Sequence, residues 1–213
     1  SATDTPVDQF IPYFADLGIN VAFLVPTKIG YVKSIMDATS SVRMLLLNEH
    51  VHDYESQLQG QNNKVFAKAH FVYPDKIEDT VASLYRPVTK KGDPRIWFRN
   101  LKKYCSPYNL LALVVMSNEI YVFNLSNVFI RESFISHGDI YQLIYSSQKL
   151  ALTIAEELLA KLQDIHALGY LPSVTKGDSG VGDTLEHALG ISRNNSKRSE
   201  EHTSELQSLR HLV

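Results

Sequence analysis

Between Arg86 and Lys103 the chain concentrates seven cations, Arg86, Lys90, Lys91, Arg95, Arg99, Lys102 and Lys103, against the single acid Asp93, a surplus of +6 over 18 residues. Tyr85, Trp97, Phe98 and Tyr104 are interleaved with them. Cations at this density can meet a phosphate backbone while the aromatics pack the segment down. A solvated helix face is the plainer alternative. Lys28 and Lys33, on either side of Gly30, are weaker candidates for the same surface.

Other constellations carry less. His50, His52, Asp53 and Glu55 offer imidazole and carboxylate ligands, but a loop gives them no fixed geometry, and turn formation explains them as well. The Gln/Asn-rich stretch 57–63 could meet base edges, as any polar loop could. Residues 177–184, GDSGVGDT, have the glycines of a phosphate-binding loop, yet Asp183 stands where the essential lysine would be and would repel phosphate. The Gly-Asp-Ser-Gly string within them resembles the surroundings of a serine nucleophile but lacks a scaffold with histidine and aspartate in place.

Cys105 is the only cysteine, which excludes an internal disulfide and a cysteine-based zinc cluster. Its plain reading is a small buried hydrophobe. With 44% hydrophobic and 21% charged residues, the 213-residue chain can bury a core and is not disordered throughout. No apolar run approaches the ~20 residues of a bilayer span, and no signal segment opens the chain. A soluble, intracellular protein in a reducing compartment is the expectation.

The elements that must position these groups follow from period and punctuation. Residues 20–25 (NVAFLV), closed by Pro26, read as a buried strand. Ile35, Met36, Val42, Leu45 and Leu46 recur at helical spacing, with Ser34 or Asp37 able to cap. A polar loop covers 50–64. Strands are expected at 65–73 and 80–85, ended by Pro74 and Pro87. Asp93-Pro94 can start a turn or a helix carrying Ile96, Trp97, Leu101 and Tyr104. The apolar runs 110–116 and 120–125, separated by Ser117-Asn118-Glu119, form a hairpin signal. A long helix is expected from about Asp139 to Leu168, C-capped by Gly169, then a linker and a helix from about Gly182 to Leu189. The pattern is α+β, without a regular βαβ repeat.

Residues 180–191, GVGDTLEHALGI, followed by Asn194-Asn195, resemble the opening of the catalytic domain in the MvaI/BcnI restriction endonucleases, and the related mismatch-repair nuclease MutH begins similarly. The order of glycines, Leu-Glu and Leu-Gly-Ile carries the resemblance, which covers about residues 177–195. An ordinary helix with Leu185 and Leu189 buried would read the same way. The resemblance implies that Glu186 lines the active site, and that an aspartate followed by Glu-x-Lys supplies two carboxylates for Mg²⁺ and a lysine that orients water. No Asp-x-Lys or Glu-x-Lys occurs in the chain. Strings 33–38 (KSIMDA) and 92–97 (GDPRIW) are similar to regions preceding the nuclease domain in some members, implying a recognition module. Double-stranded DNA as partner and a prokaryotic cytoplasm as location follow from the same resemblance.

The chain does not begin with methionine, so Ser1 reads as a processed end or a cut. Residues 198–208 (RSEEHTSELQS) are the translation of a common sequencing-library adapter, and His211-Leu212-Val213 continue it after a short index. Setting 198–213 aside leaves 19 basic against 20 acidic residues. The expected organisation is an α+β DNA-recognition module at 1–137, a long helix and linker at 138–176, the truncated start of a restriction-endonuclease-like domain at 177–197, and a non-native tail at 198–213. Mg²⁺ is expected for the full-length parent and no cofactor for this fragment. The alternative is a non-enzymatic interaction or regulatory domain.

Overall fold

The computed structural model describes residues 7–167, Thr184 and residues 187–189. The chain divides into two compact units, 1–148 and 149–213. The first unit holds a seven-stranded mixed sheet built from β1 (Ala22–Leu24), β2 (Met36–Asp37), β3 (Val65–Val72), β4 (Ile77–Tyr85), β5 (Arg95–Phe98), β6 (Leu111–Met116) and β7 (Glu119–Asn124), in the order β1-β6-β7-β3-β4-β5-β2. All pairings are antiparallel except that of β3 with β7.

The β6–β7 hairpin forms as its sequence predicts. Ser117 and Asn118 both take positive φ (50° and 61°), the left-handed geometry of a two-residue turn whose twist matches the strands. Every residue of β6 is buried, so it reads as a continuous apolar run and not an alternating one. Leu111, Leu113 and Val115 point into one core while Ala112, Val114 and Met116 point into the other.

The first core lies inside the curl of the sheet and takes residues from all seven strands. Helix α3 (Ser40–Asn48) adds Val42, Leu45 and Leu46 to it. The second core lies on the outer face of β1, β6 and β7, beneath α1 (Ile11–Asp16), α5 (Val128–Ile135) and the first turns of α6 (Asp139–Ala167). Phe134 is central there, 5.0 Å from the Phe14 ring and 5.7 Å from that of Phe123, and is fully buried. Burial of one such side chain contributes about 1.5–3 kcal/mol.

Several elements differ from expectation. Ile35 and Met36 are not helical: a short α2 (Lys28–Lys33) precedes them, and Met36 begins β2. Thr27 caps α2 by accepting from the Gly30 N–H, and Ser34 closes it in left-handed conformation. Gly30 is required, because a Cβ there would stand 2.5 Å from the Ile35 carbonyl oxygen. The cap of α3 is Thr39, not Ser34 or Asp37. Residues 95–98 form β5 where a turn or helix was expected, because Ile96 and Phe98 alternate into the inner core. Only a single turn, α4 (Leu101–Tyr104), follows. β4 starts three residues before the expected position. The long helix α6 is present, whereas Gly169 and half of the expected last helix lie outside the described residues.

Cys105 is buried, and burial pushes its thiol up to about 12. At neutral pH it is a protonated apolar group, as its plain reading required. Among the described residues, no helix is long and apolar enough to cross a membrane.

In the second unit, α6 continues from Lys149 with Leu150, Leu152, Ile154 and Leu159 exposed. Thr184 and residues 187–189 are helical, and the Lys161 ammonium donates to the Leu189 carbonyl oxygen at 3.5 Å.

Candidate nucleic-acid interface

Except for Val72 at the end of β3, the outer face of β3, β4 and β5 lies beyond the residues of the second core. Side chains of register partners share a face, so pairing defines rows across this surface. In one row Phe66 stands opposite Ser83, and Ser83 opposite Trp97. Phe66 is 64% exposed. In the next, Lys68 stands opposite Val81, whose carbonyl accepts the Arg99 N–H just past the end of β5. Both Lys68 and Arg99 are exposed, and the Lys68 ammonium lies 3.7 Å from Glu119 Oε1. On the other side, the Lys64 ammonium sits 4.8 Å over the Tyr85 ring, and Tyr85 faces Arg95, which in turn faces Asp37. This face therefore carries Lys64, Lys68 and Arg99 with the rings of Tyr85 and Phe66 among them, while the half-buried Trp97 packs against the inner core.

The far end of the face is different in character. The His70 ring lies between two carboxylates, with Nδ1 2.9 Å from Asp79 Oδ1 and Nε2 2.5 Å from Glu119 Oε2, and stacks on Tyr121 at 4.5 Å. These contacts tie β4 and β7 to the strand between them.

At the opposite end the two edge strands β1 and β2 line one cleft of about 670 Å³, which shows that the sheet curls until its edges approach. Phe23, Ile29 and Leu110 supply apolar wall, and Tyr85, Arg95 and Lys33 bring ring and charge. The Arg95 guanidinium is ion-paired with the Asp37 carboxylate, and its side chain is 14% exposed against 74% for Asp37.

The cations singled out in the sequence do not form one face. Arg86 turns inward, donating to the carbonyl oxygens of Gly92 (2.9 Å), Tyr54 (3.2 Å) and Gln57 (3.4 Å). Arg95 is held in the cleft by Asp37. Lys102 donates to the Val32 carbonyl at 3.0 Å and lies 5.8 Å from the ring centres of both Tyr31 and Trp97. Lys91 is exposed on the loop between β4 and β5, which also carries Lys90, whose side chain lies outside the described ones. Arg99 and Lys103 are exposed around α4, and Lys28 and Lys33 are exposed on α2. Glu186 lies outside the described residues.

The loop considered for a metal does not converge. The His52 Nε2 pairs with Gln57 Oε1 at 3.1 Å, and Asp53 accepts the Glu55 N–H in a local turn. Among the described residues, no group of three or more His, Cys, Asp or Glu is arranged to hold a metal ion. Gln57 is buried and donates to the carbonyls of Asn63 and Leu84, so it braces the loop and is not available to a base.

Sequence reasoning missed Phe66, Lys64 and Lys68. A usable signal existed: once 65–72 and 77–85 are paired as a hairpin, alternation puts residues 64, 66 and 68 on one face with Tyr85, Ser83 and Val81.

The C-terminal part of the chain carries the decisive likeness. Residues 159–212 match the MvaI/BcnI restriction endonuclease family. The matched range starts within α6, before the expected domain start at 177, and includes Glu186. It also runs on through most of the adapter-like stretch. No curated protein and no solved structure matches the chain. The MvaI/BcnI likeness thus belongs to the second unit, and the sheet of the first is characterised by its geometry alone.

Proposed function

We propose that the chain is part of a type II-like restriction endonuclease, in which the seven-stranded module binds double-stranded DNA and phosphodiester hydrolysis depends on Mg²⁺ held outside that module. The observation that carries this reading is the outer face of β3, β4 and β5, where Lys64, Lys68 and Arg99 stand with the rings of Tyr85 and Phe66. Cations in such an array neutralise phosphates and release counterions, which dominates affinity for nucleic acid. Exposed Lys28, Lys33, Lys91 and Lys103 extend the positive surface at its margins. The match to a nuclease family supplies the partner class. A prokaryotic cytoplasm is the location this reading implies.

Hydrolysis is not assigned to any residue of this chain. Among the described residues no group of three or more His, Cys, Asp or Glu is arranged to hold a metal ion, and an aspartate with Glu-x-Lys is absent from the sequence. Glu186, by its resemblance to the helical glutamate of the family, would line a site completed elsewhere. The reading of 198–213 as adapter-derived stands alongside, and sequencing the coding DNA beyond codon 197 checks it.

The experiment is a gel-shift and cleavage assay with the 213-residue chain, a duplex of random sequence and Mg²⁺. The expected outcome is a salt-sensitive shift without strand scission. Scission would show that the catalytic groups lie within this chain, and absence of any shift at low salt would favour an interaction or regulatory domain.

A further inference from the structure

The cleft between the edge strands is a built cavity that phosphate contact alone does not use. Its volume, about 670 Å³, lies within the range of small-molecule sites and exceeds what one nucleotide needs. Its walls are of two kinds. Phe23, Ile29 and Leu110 line it with apolar surface and Tyr85 with an aromatic ring, while the Asp37–Arg95 pair and Lys33 bring charge to the same space. A ligand matching both kinds of wall is flat, heteroaromatic and phosphorylated.

The charge pair narrows the choice further. Arg95 is largely buried and pinned by Asp37, whereas Asp37 is mostly exposed, so the carboxylate presents acceptors with a guanidinium at its side. Guanine is the base with two N–H donors side by side on one edge, N1–H and N2–H, and with the O6 acceptor next to them. A carboxylate takes the two donors and a guanidinium takes the acceptor. Tyr85, Arg95 and Asp37 are register partners across β4, β5 and β2, so the cleft adjoins the row of cations and rings. A strand lying on that face passes the mouth of the cleft.

We propose that the cleft between β1 and β2 receives a single guanine nucleotide, with the base against Asp37 and Arg95 and the phosphate at Lys33. The source is either a free nucleotide or a base swung out of a DNA strand, which enzymes acting on nucleic acid accommodate in pockets of this kind. The DNA source rests on the function proposed above, whereas the free nucleotide does not.

The test titrates dGMP, dAMP, dCMP and dTMP into the 213-residue chain by calorimetry, and in parallel compares a twelve-residue thymine strand with the same strand carrying one central guanine. The expected result is at least a tenfold preference for dGMP and a gain of similar size for the guanine-bearing strand. Asp37→Asn, a change at an exposed side chain, should remove both preferences. Lys33→Gln should weaken dGMP several-fold while leaving guanosine unchanged. A preference for dGMP without any strand binding keeps the cleft as a free-nucleotide site and overturns the DNA strand as its source. Strand binding with no guanine preference in either arm, or a preference that survives Asp37→Asn, overturns the cleft proposal and leaves the DNA reading standing.

Discussion

Arg95 and Asp37 are joined twice, as register partners of β5 and β2 and through an ion pair between guanidinium and carboxylate. The pairing closes the last strand of the sheet onto its neighbour and withdraws one cation from the segment 86–103. Charge counted along the sequence therefore overstates the charge offered to a partner.

Arg86 makes the same point more strongly. Its guanidinium joins the carbonyls of Tyr54 and Gln57 to that of Gly92, so it fastens the loop before β3 to the loop before β5. Hydrogen bonds from a charged donor contribute about 1.5–3 kcal/mol each to stability, with neighbours sharing the loss. Arg86→Ala should lower the unfolding free energy by about 2–3 kcal/mol in urea titration. The slope of log affinity against log salt for DNA should stay as it is.

Tyr104 stitches the parallel pair. Its hydroxyl accepts from the Asn124 N–H and lies 2.9 Å and 2.8 Å from the carbonyl oxygens of Val72 on β3 and Val122 on β7. Its ring stacks on Phe71 at 4.3 Å, and burial raises the phenol above its ordinary pKa. Tyr104→Phe keeps the stack and removes the hydroxyl, at a cost of about 1–3 kcal/mol. The fall in Tm should be about 2–12 °C, read by thermal denaturation.

The imidazole of His52 is held below its ordinary pKa, first by burial, with the hydrogen bond to Gln57 and the Asp53 charge acting against that. A base depressed in the fold binds fewer protons folded than unfolded, so stability rises with pH through the interval between the two pKa values. Stability should thus be lost as pH falls below about 6.5. His52→Gln should flatten the dependence of Tm on pH between about 7 and 5, and an unchanged slope would show that His52 is solvated.

The hairpin β6–β7, strand β3 and helix α6 were legible in the sequence because each has one dominant period and clear punctuation. β5 was not, because Arg95–Phe98 spans only two turns of the alternation and follows Asp93-Pro94, which also starts helices. Helices α1 and α5 are short, and their buried sides carry few residues, Phe14 in one and Ile130 and Phe134 in the other. The basic segment was visible by composition, but direction was not. Arg86, Arg95 and Lys102 turn to carbonyls, a carboxylate and rings of their own fold, and only tertiary pairing reveals that Lys64 and Lys68 share the outer face.

The central claim is that this face holds DNA, and the most direct measurement is the salt dependence of duplex binding by the chain and by a variant carrying Lys64→Glu, Lys68→Glu, Arg99→Glu and Lys103→Glu. Each phosphate contact contributes about 0.9 to the slope of log affinity against log salt, so the variant should lose about 3–4 from it and bind far more weakly at low salt. An unchanged affinity and slope in a variant that still folds would contradict the account.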